Sequence, residues 1–339
     1  MKAVRLEEYG KVPTVTDVPD PVLLADDDII VQVEGAGVCR TDIHAYEGQL
    51  RDVFPTPLPF TLGHETAGVI AEAGPRVRGM AVGDKVILHP LITCGVCTAC
   101  RRGDDMGCSD SAFTGLVVDG GMAQFVRTSQ RAAIVLDPST DTQSIAPLAD
   151  AGLTAYHAIR RAVGSLTSES VAVVVGCGGL GHLAIQMLRA MTDCAIVAVD
   201  PLEAARALAL GLGATRVAGE DAREVVEELT NGAGATAVFD FVGEDETPRL
   251  SLDLLGRQGS YYIVGYGGTL EVPTLEMVLK EIKVQGNIVG SYQDLRELVR
   301  LYERGLLDSR VVSYPLLDAP RAFADLNSGT IRGRAVLVP

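Results

Sequence analysis

The stretch Val171-Ala-Val-Val-Val-Gly-Cys-Gly-Gly-Leu-Gly181 decides the fold of this 339-residue chain. Residues 171–175 are all apolar, which predicts a strand buried on both faces of a parallel sheet. The GxGxxG pattern that follows predicts a tight turn into a helix over 179–191. A strand, a glycine turn and a helix form the first unit of a doubly wound α/β domain.

The same turn is suited to the pyrophosphate of a dinucleotide. Its glycines permit the tight turn, the approach of the phosphates and close helix packing, and the helix N-terminus adds a positive field. Asp200 follows the next predicted strand, 195–199, and its carboxylate favours the ribose of NAD over the 2′-phosphate of NADP. Arg206 is the competing determinant. The predicted NAD site comprises Gly176, Gly178, Gly179, Leu180, Gly181 and Asp200.

The rest of the chain contains two kinds of sequence pattern, which predict two different domains. Before about residue 148, short alternating runs separated by Gly- and Pro-rich loops predict a mostly β domain. After about residue 165, strands alternate with helices, which predicts a parallel sheet. The predicted strands are 29–33, 67–71, 85–88, 171–175, 195–199, 237–242, 260–264, 284–289 and 335–338. The further predicted helices are 202–212, a helix capped by Asp221 and ending before Asn231, and 293–304.

The composition narrows the classes of function. The chain has 29 Lys and Arg against 44 Asp and Glu, and this net charge of −15 with no basic stripe argues against binding DNA or RNA. No run of ~18 apolar residues occurs, so we expect no membrane helix. The segment 1–11 is charged and lacks an apolar stretch, so we expect no secretory signal and a cytoplasmic protein.

Four of the seven cysteines lie in one short segment, Cys94-x2-Cys97-x2-Cys100-x7-Cys108. Clustered cysteines in an intracellular chain favour metal over disulfides. Four thiolates complete a tetrahedral zinc site, so we predict a structural zinc in the lobe 94–108. An iron–sulfur cluster is the main alternative, but the ferredoxin pattern has a shorter final spacing and a proline where this chain has Ser109.

A second candidate metal site uses residues that are far apart in sequence. Cys39 begins the run Cys39-Arg-Thr-Asp-Ile-His44, and His64 lies in Gly63-His-Glu65. Both are possible ligands of a catalytic zinc, which needs about three protein ligands and one open position. Taken alone, each residue is more often a core or turn residue than a ligand.

Together these motifs resemble the zinc-containing medium-chain alcohol dehydrogenases. The resemblance spans nearly the whole chain through motifs in the family's order: 35–44, 63–68 with Gly74, the four-cysteine lobe, 174–181 and Ile331-Arg332. It implies a GroES-like, mostly β catalytic domain over 1–149, a Rossmann domain over 150–289 and a segment 290–339 that returns to the catalytic domain. It also implies an active site in the cleft between the domains and a homodimer or homotetramer.

The resemblance further implies the third catalytic ligand. Many members of the family have a Cys in the segment before the Rossmann domain, whereas the spacing to the run 154–157 places Asp150 at that position here. A carboxylate binds zinc at ~2.0–2.2 Å. Because it carries the same charge as a thiolate, a zinc held by Cys39, His64 and Asp150 stays formally neutral.

The remaining roles also follow from the resemblance. Thr41 would hydrogen-bond the substrate oxygen, His44 would relay the proton, and Asp42 would orient His64. Glu65 would lie behind the metal and ligate it transiently. Arg332 would bind the cofactor pyrophosphate, with Arg334 as its competitor, and His89 is a candidate lining residue of the substrate pocket.

The predicted activity is therefore reversible hydride transfer between a small to medium alcohol and NAD, with a ketone or aldehyde as product. An apolar secondary alcohol is the expected substrate, and polyols are the alternative. A zinc-free, NADPH-dependent quinone or enone reductase of the same superfamily is the second interpretation. It would lack the catalytic zinc and hold about one zinc per chain, instead of about two, if only the Cys lobe binds metal. A non-catalytic nucleotide-binding protein is the third.

Overall fold

The computed structural model describes every residue from Met1 to Pro339. Its strands are β1 (Lys2–Leu6), β2 (Thr14–Asp17), β3 (Asp28–Val38), β4 (Phe60–Thr61), β5 (Glu65–Ala73), β6 (Lys85–Leu88), β7 (Leu91–Thr93), β8 (Ser111–Phe113), β9 (Phe125–Ser129), β10 (Ala133–Val135), β11 (Val171–Val175), β12 (Ala195–Val199), β13 (Arg216–Ala218), β14 (Ala235–Asp240), β15 (Leu255–Ile263), β16 (Lys283–Gly286), β17 (Val311–Pro315) and β18 (Arg334–Val338). Its helices are α1 (Arg40–Tyr46), α2 (Thr98–Arg101), α3 (Thr142–Ile145), α4 (Ala151–Ala162), α5 (Gly181–Met191), α6 (Glu203–Gly211), α7 (Ala222–Thr230), α8 (Thr247–Leu254), α9 (Thr274–Lys280), α10 (Tyr292–Glu303) and α11 (Ala319–Asn327). The predicted mixed α/β class is confirmed.

The chain divides into two units. The first contains Met1–Ala151 together with Ser291–Pro339, and the second contains Gly152–Gly290. The C-terminal segment thus belongs to the same unit as the N-terminal half, because β18 pairs antiparallel with β3 and parallel with β17. None of the helices combines the length and the apolar composition that crossing a bilayer requires.

The first unit is built around a seven-stranded sheet in the order β10-β6-β5-β3-β18-β17, with β9 also paired to β3. The apolar side chains of β3 and β18 are buried, which explains why these strands lie at its centre. A second sheet has the order β2-β1-β4, and β7 and β8 form a hairpin. Strand β5 begins at Glu65, so the sheet fixes the backbone directly after His64.

The second unit is a six-stranded parallel sheet in the order β13-β12-β11-β14-β15-β16. Chain order reverses beside β11, which is the position where doubly wound folds bind ligands at the carboxyl ends of the strands. The core includes the valines of the strands together with Leu252 and Tyr261.

The ends of several elements in this unit differ from those expected. Helix α5 begins at Gly181 instead of residue 179, since residues 179 and 180 complete the glycine turn. Strand β14 ends at Asp240, two residues before the expected end at 242, because the chain turns there. Asp221 does occupy the N-cap of α7, but its side chain accepts a hydrogen bond from the N–H of Gly219 instead of capping the helix.

The C-terminal helix contributes an aromatic anchor to the first unit. Phe323 of α11 is buried and meets Tyr46 of α1 edge to face, with ring centroids 5.8 Å apart. Phe323→Ala would remove this ring and leave a cavity, so we expect it to lower the free energy of unfolding by about 3–5 kcal/mol. Denaturant titration measures this loss.

Leu317 is the matched control, because it precedes the same helix and is 67% exposed. Leu317→Ala should change the free energy of unfolding by no more than about 0.5 kcal/mol. Equal losses in the two variants would contradict the packing described for Phe323.

Candidate active site and metal centres

Three side chains of the types that can bind a metal converge in the first unit although they lie far apart in sequence. The Sγ of Cys39 lies 3.8 Å from Oδ2 of Asp150, and Nε2 of His64 lies 3.4 Å from the same oxygen. All three donor atoms lie within 4.8 Å of one another. Ligands at about 2.0–2.3 Å around a tetrahedral zinc are roughly 3.3–3.8 Å apart. The spacing and the chemistry of the donors therefore fit a zinc ion.

Asp42 connects the first two of these segments. Cys39 is the N-cap of α1, and its N–H donates to Oδ2 of Asp42 over 2.8 Å. The other oxygen, Oδ1, lies 3.4 Å from Nδ1 of His64. Asp42 is fully buried. Its carboxylate thus faces the nitrogen of His64 that points away from the other two donors, an arrangement typical of carboxylates that orient a metal-binding histidine.

Glu65 connects the segment of Asp150 to the C-terminal strand. The N–H of Ala151 donates to Oε1 of Glu65 over 3.1 Å. The guanidinium of Arg334, the first residue of β18, forms an ion pair with the same carboxylate. Glu65 and Arg334 are both buried. The charge of each residue is therefore balanced inside the protein, as burial of an ionised group requires.

The electrostatics of the site favour a cation. Burial acts to lower the pKa of His64, but the carboxylates of Asp42 and Asp150 outweigh it and raise this pKa well above its ordinary value. Burial also raises the pKa of Glu65, against the opposing charge of Arg334. A group of buried anions that makes protonation of a histidine favourable will likewise stabilise a divalent metal.

Two polar side chains lie on the helix that follows Cys39, and an aromatic ring of β8 packs against His64. Thr41 and His44 both belong to α1, where Thr41 is half-buried and His44 is 8% exposed. The ring of Phe113 meets the ring of His64 edge to face at a centroid distance of 5.8 Å. Phe54 packs on Phe113 at 5.9 Å. These two phenylalanines could not be predicted as site residues, because no local sequence pattern relates either of them to His64.

The four cysteines of the lobe form the second group of donors. The Sγ of Cys94 lies 3.9 Å from that of Cys100 and 3.7 Å from that of Cys108. The N–H of Cys100 lowers the pKa of Cys97 to about 6, whereas burial raises that of Cys108 to about 11. The spacing fits four thiolates around one zinc, since sulfur ligands at about 2.3 Å lie roughly 3.8 Å apart.

The buried carboxylate of Asp105 connects this lobe to the rest of the first unit through hydrogen bonds. Asp105 accepts hydrogen bonds from the guanidinium of Arg131 at 3.3 Å and from the N–H of Tyr292 at 2.8 Å. Arg131 also donates to the hydroxyl of Thr93, at the end of β7. The lobe therefore contacts both the β domain and the start of α10.

In the second unit, the glycine turn leaves space where a phosphate can approach. Gly176 has φ +84°, a Cβ at Gly181 would collide with the carbonyl oxygen of Gly176, and a Cβ at Gly178 would meet no atom within 4 Å. Asp200 accepts hydrogen bonds from the N–H of Cys177 at 2.8 Å and of Leu202 at 2.9 Å. The turn thus has the close helix packing and the open face that a dinucleotide site needs.

The two arginines near the C-terminus have different surroundings. Arg332 is exposed and donates to the carbonyl groups of Gly329 and Ile331. Arg334 is the one that reaches the candidate metal site, through Glu65. The position of Arg334 at the start of the apolar run 335–338 is a sequence signal for a buried ion pair. The sequence does not identify its partner, Glu65, which lies 269 residues away.

Comparisons with known proteins agree with this geometry. Residues 25–138 match the alcohol dehydrogenase GroES-like domain, and residues 179–304 match the zinc-binding dehydrogenase domain. The NAD-dependent alcohol dehydrogenase of Sulfurisphaera tokodaii is 33% identical, with 100% of both chains covered. The D-arabinose 1-dehydrogenase (NADP(+)) of Saccharolobus solfataricus is also 33% identical, over 100% of this chain and 97% of that protein.

Among solved structures, the alcohol dehydrogenase of the hyperthermophilic archaeon Aeropyrum pernix matches with a TM-score of 0.97 and 43% identity, over 100% of both chains. These full-length similarities agree with the family indicated by the sequence motifs. The chain belongs to the zinc-containing medium-chain dehydrogenase/reductase family and is an oxidoreductase.

Proposed function

We propose that the protein is an NAD-dependent zinc alcohol dehydrogenase that interconverts an alcohol and its ketone or aldehyde. The observation that carries this proposal is the convergence of Cys39, His64 and Asp150 within 4.8 Å. Three protein ligands leave one position of a tetrahedral zinc for substrate, which is the arrangement of catalytic sites. The lobe cysteines, by contrast, would fill all four positions of a structural zinc.

The zinc would act as a Lewis acid that lowers the pKa of an alcohol toward neutrality. Thr41 would accept the proton of the substrate hydroxyl in a hydrogen bond, and His44 would pass that proton toward solvent. Asp42 would hold His64 in the orientation that directs Nε2 to the metal. Glu65 would be held by its ion pair with Arg334. We also propose that Glu65 ligates the zinc transiently.

NAD would accept the hydride from the carbinol carbon, so that each alcohol oxidised yields one carbonyl compound, one NADH and one proton. Gly176, Gly178, Gly179, Leu180 and Gly181 would form its pyrophosphate site. Arg332, whose side chain is exposed on the first unit, is proposed to contribute positive charge to the pyrophosphate site.

The proposed preference for NAD rests on Asp200. Its buried carboxylate is already fixed by two backbone N–H groups, and it would meet a 2′-phosphate with like charge. Arg206, the competing residue, donates to the carbonyl oxygens of Asp200 at 2.7 Å and Pro201 at 2.8 Å. Its guanidinium is thereby directed to the backbone, which favours NAD.

The proposed substrate is a small to medium apolar alcohol, with secondary alcohols preferred. Support comes from the rings of Phe113 and Phe54, which present apolar surface beside His64. Apolar surface near the reacting centre favours alkyl and aryl substituents over the hydroxyl groups of a polyol. The D-arabinose dehydrogenase relative makes a polyhydroxy substrate the competitor to include in a substrate panel.

Asp150→Ala tests the third ligand. We expect the zinc content to fall from about two to about one per chain and turnover to be lost, because two donors hold zinc poorly. Metal analysis and an alcohol oxidation assay with NAD measure the two effects. Asp141→Ala is the control, since Asp141 caps α3 in the same region and should cost only about 1 kcal/mol of stability.

Full activity in Asp150→Ala would exclude Asp150 as a ligand. A wild-type chain with about one zinc, bound in the lobe, would instead favour the NADPH-dependent reductase that lacks a catalytic zinc.

Asp200→Ser tests the cofactor preference. We expect the ratio of kcat/KM for NAD to that for NADP to fall by about tenfold or more, because the like charge is removed. Steady-state kinetics with both cofactors measure this ratio, and general damage to the turn would lower both values equally. Asp221→Ser is the control, since its carboxylate also accepts a backbone N–H in this unit. An unchanged ratio would show that another residue selects the cofactor.

Cys97→Ser tests the lobe. Loss of its zinc should destabilise the protein by about 3 kcal/mol, or roughly 6–12 °C in Tm, while the KM for NAD changes little. Scanning calorimetry and kinetics measure the two quantities. Ser109→Ala, an exposed change beside Cys108, is the control. A Tm equal to that of the control would contradict a stabilising metal in the lobe.

A further inference from the structure

The segment Phe113–Met122, here called the glycine loop of the first unit, packs directly on the residue before His64. The N–H of Gly121 donates to the carbonyl of Gly63 at 2.9 Å, and the N–H of Met122 donates to that of Leu62 at 2.9 Å. At the start of the segment, the ring of Phe113 meets His64. The loop therefore contacts His64 through its ring and through the backbone that carries it.

This contact is possible only because the facing residues lack side chains. Gly63 has φ +106°, and a Cβ there would lie 2.6 Å from the backbone nitrogen of Met122. A Cβ at Gly115 would lie 2.5 Å from the oxygen and 2.6 Å from the carbonyl carbon of Gly63. Side-chain atoms do not approach backbone this closely, so any substitution at Gly115 must displace one of the two segments.

A displacement of this kind would reach the metal site first. His64 follows Gly63 directly, and Glu65 after it begins β5 and holds both Ala151 and Arg334. Metal affinity depends on donor atoms held to within a few tenths of an ångström. We propose that Gly115 is a positioning residue for the catalytic zinc: its close contact with Gly63 sets the position of His64. This inference rests on the proposed function, because it assumes zinc at the three-donor site.

Gly115→Ala tests the inference, with Gly79→Ala as its matched control. Gly115 has φ +75° and Gly79 has φ +77°, but a Cβ at Gly79 would meet no atom within 4 Å. The two variants share the same backbone strain, and only Gly115→Ala adds the collision. The readouts are zinc per chain, the zinc dissociation constant from chelator competition, and the visible absorption of the cobalt-substituted protein.

We expect Gly115→Ala to bind zinc at the three-donor site at least tenfold more weakly than the wild type and to keep the lobe metal. Gly79→Ala should retain both metals with wild-type affinity. Affinity within twofold of the wild type in Gly115→Ala would overturn the inference, as would equal losses in the two variants. A wild-type chain that binds no metal at the three-donor site would overturn the proposed function itself, which metal analysis of the wild type reveals first.

A second variant keeps the inference testable if Gly115→Ala does not fold. The three atoms nearest to a Cβ at Gly121 would all belong to the side chain of Thr66, which follows Glu65, and the farthest of them, the Cβ of Thr66, would lie 2.9 Å away. Gly121→Ala should weaken zinc binding, and adding Thr66→Gly should restore most of it, because this change removes the hydroxyl group, the methyl group and the Cβ that the new side chain would meet. If the double variant binds zinc as weakly as Gly121→Ala, close packing of this loop does not position His64 and the inference fails.

Discussion

The candidate metal site depends on two buried carboxylates, Asp42 and Glu65, besides its three proposed permanent ligands. Asp42 accepts the N–H of Cys39 and faces His64, while Glu65 accepts the N–H of Ala151, the neighbour of Asp150. Each carboxylate thus joins segments that are distant in sequence. Without them, the metal would have to supply more of the ordering of three donors on separate segments, at a cost in conformational entropy.

One of these carboxylates, Glu65, also links the candidate metal site to the C-terminal segment. Glu65 is a buried anion, and its partner Arg334 is the first residue of β18. Leaving one member of such a pair without the other is strongly unfavourable. The pairing of β18 with β3 brings Arg334 to Glu65. The C-terminal strand therefore supplies both apolar core and the charge that balances Glu65 beside the candidate metal site.

Features set by local sequence patterns could be predicted, whereas close contacts between distant segments could not, except where the family resemblance implied them. The run 171–181 specified β11, the turn and α5, because strand, turn and helix signals are local. The predicted end of β14, at residue 242, was wrong, because β14 ends at Asp240. The apolar residues after Asp240 continue the strand pattern although the chain turns there. The contact of Gly115 with Gly63 left no pattern in the sequence, because each glycine alone is compatible with any turn.

The two candidate metal sites also differ in how far local sequence spacing predicts them. The four lobe cysteines lie within one short segment, so their spacing alone indicates a closed site. Cys39, His64 and Asp150 are placed by different means: a helix N-terminus, a turn at the start of β5, and the end of a buried turn that packs on β5 and β3. Because β5 takes part in two of these placements, displacing its first residues would disturb the relative positions of all three donors. The geometry of the three-donor site is therefore a property of the whole first unit, whereas that of the lobe is a property of its own loop.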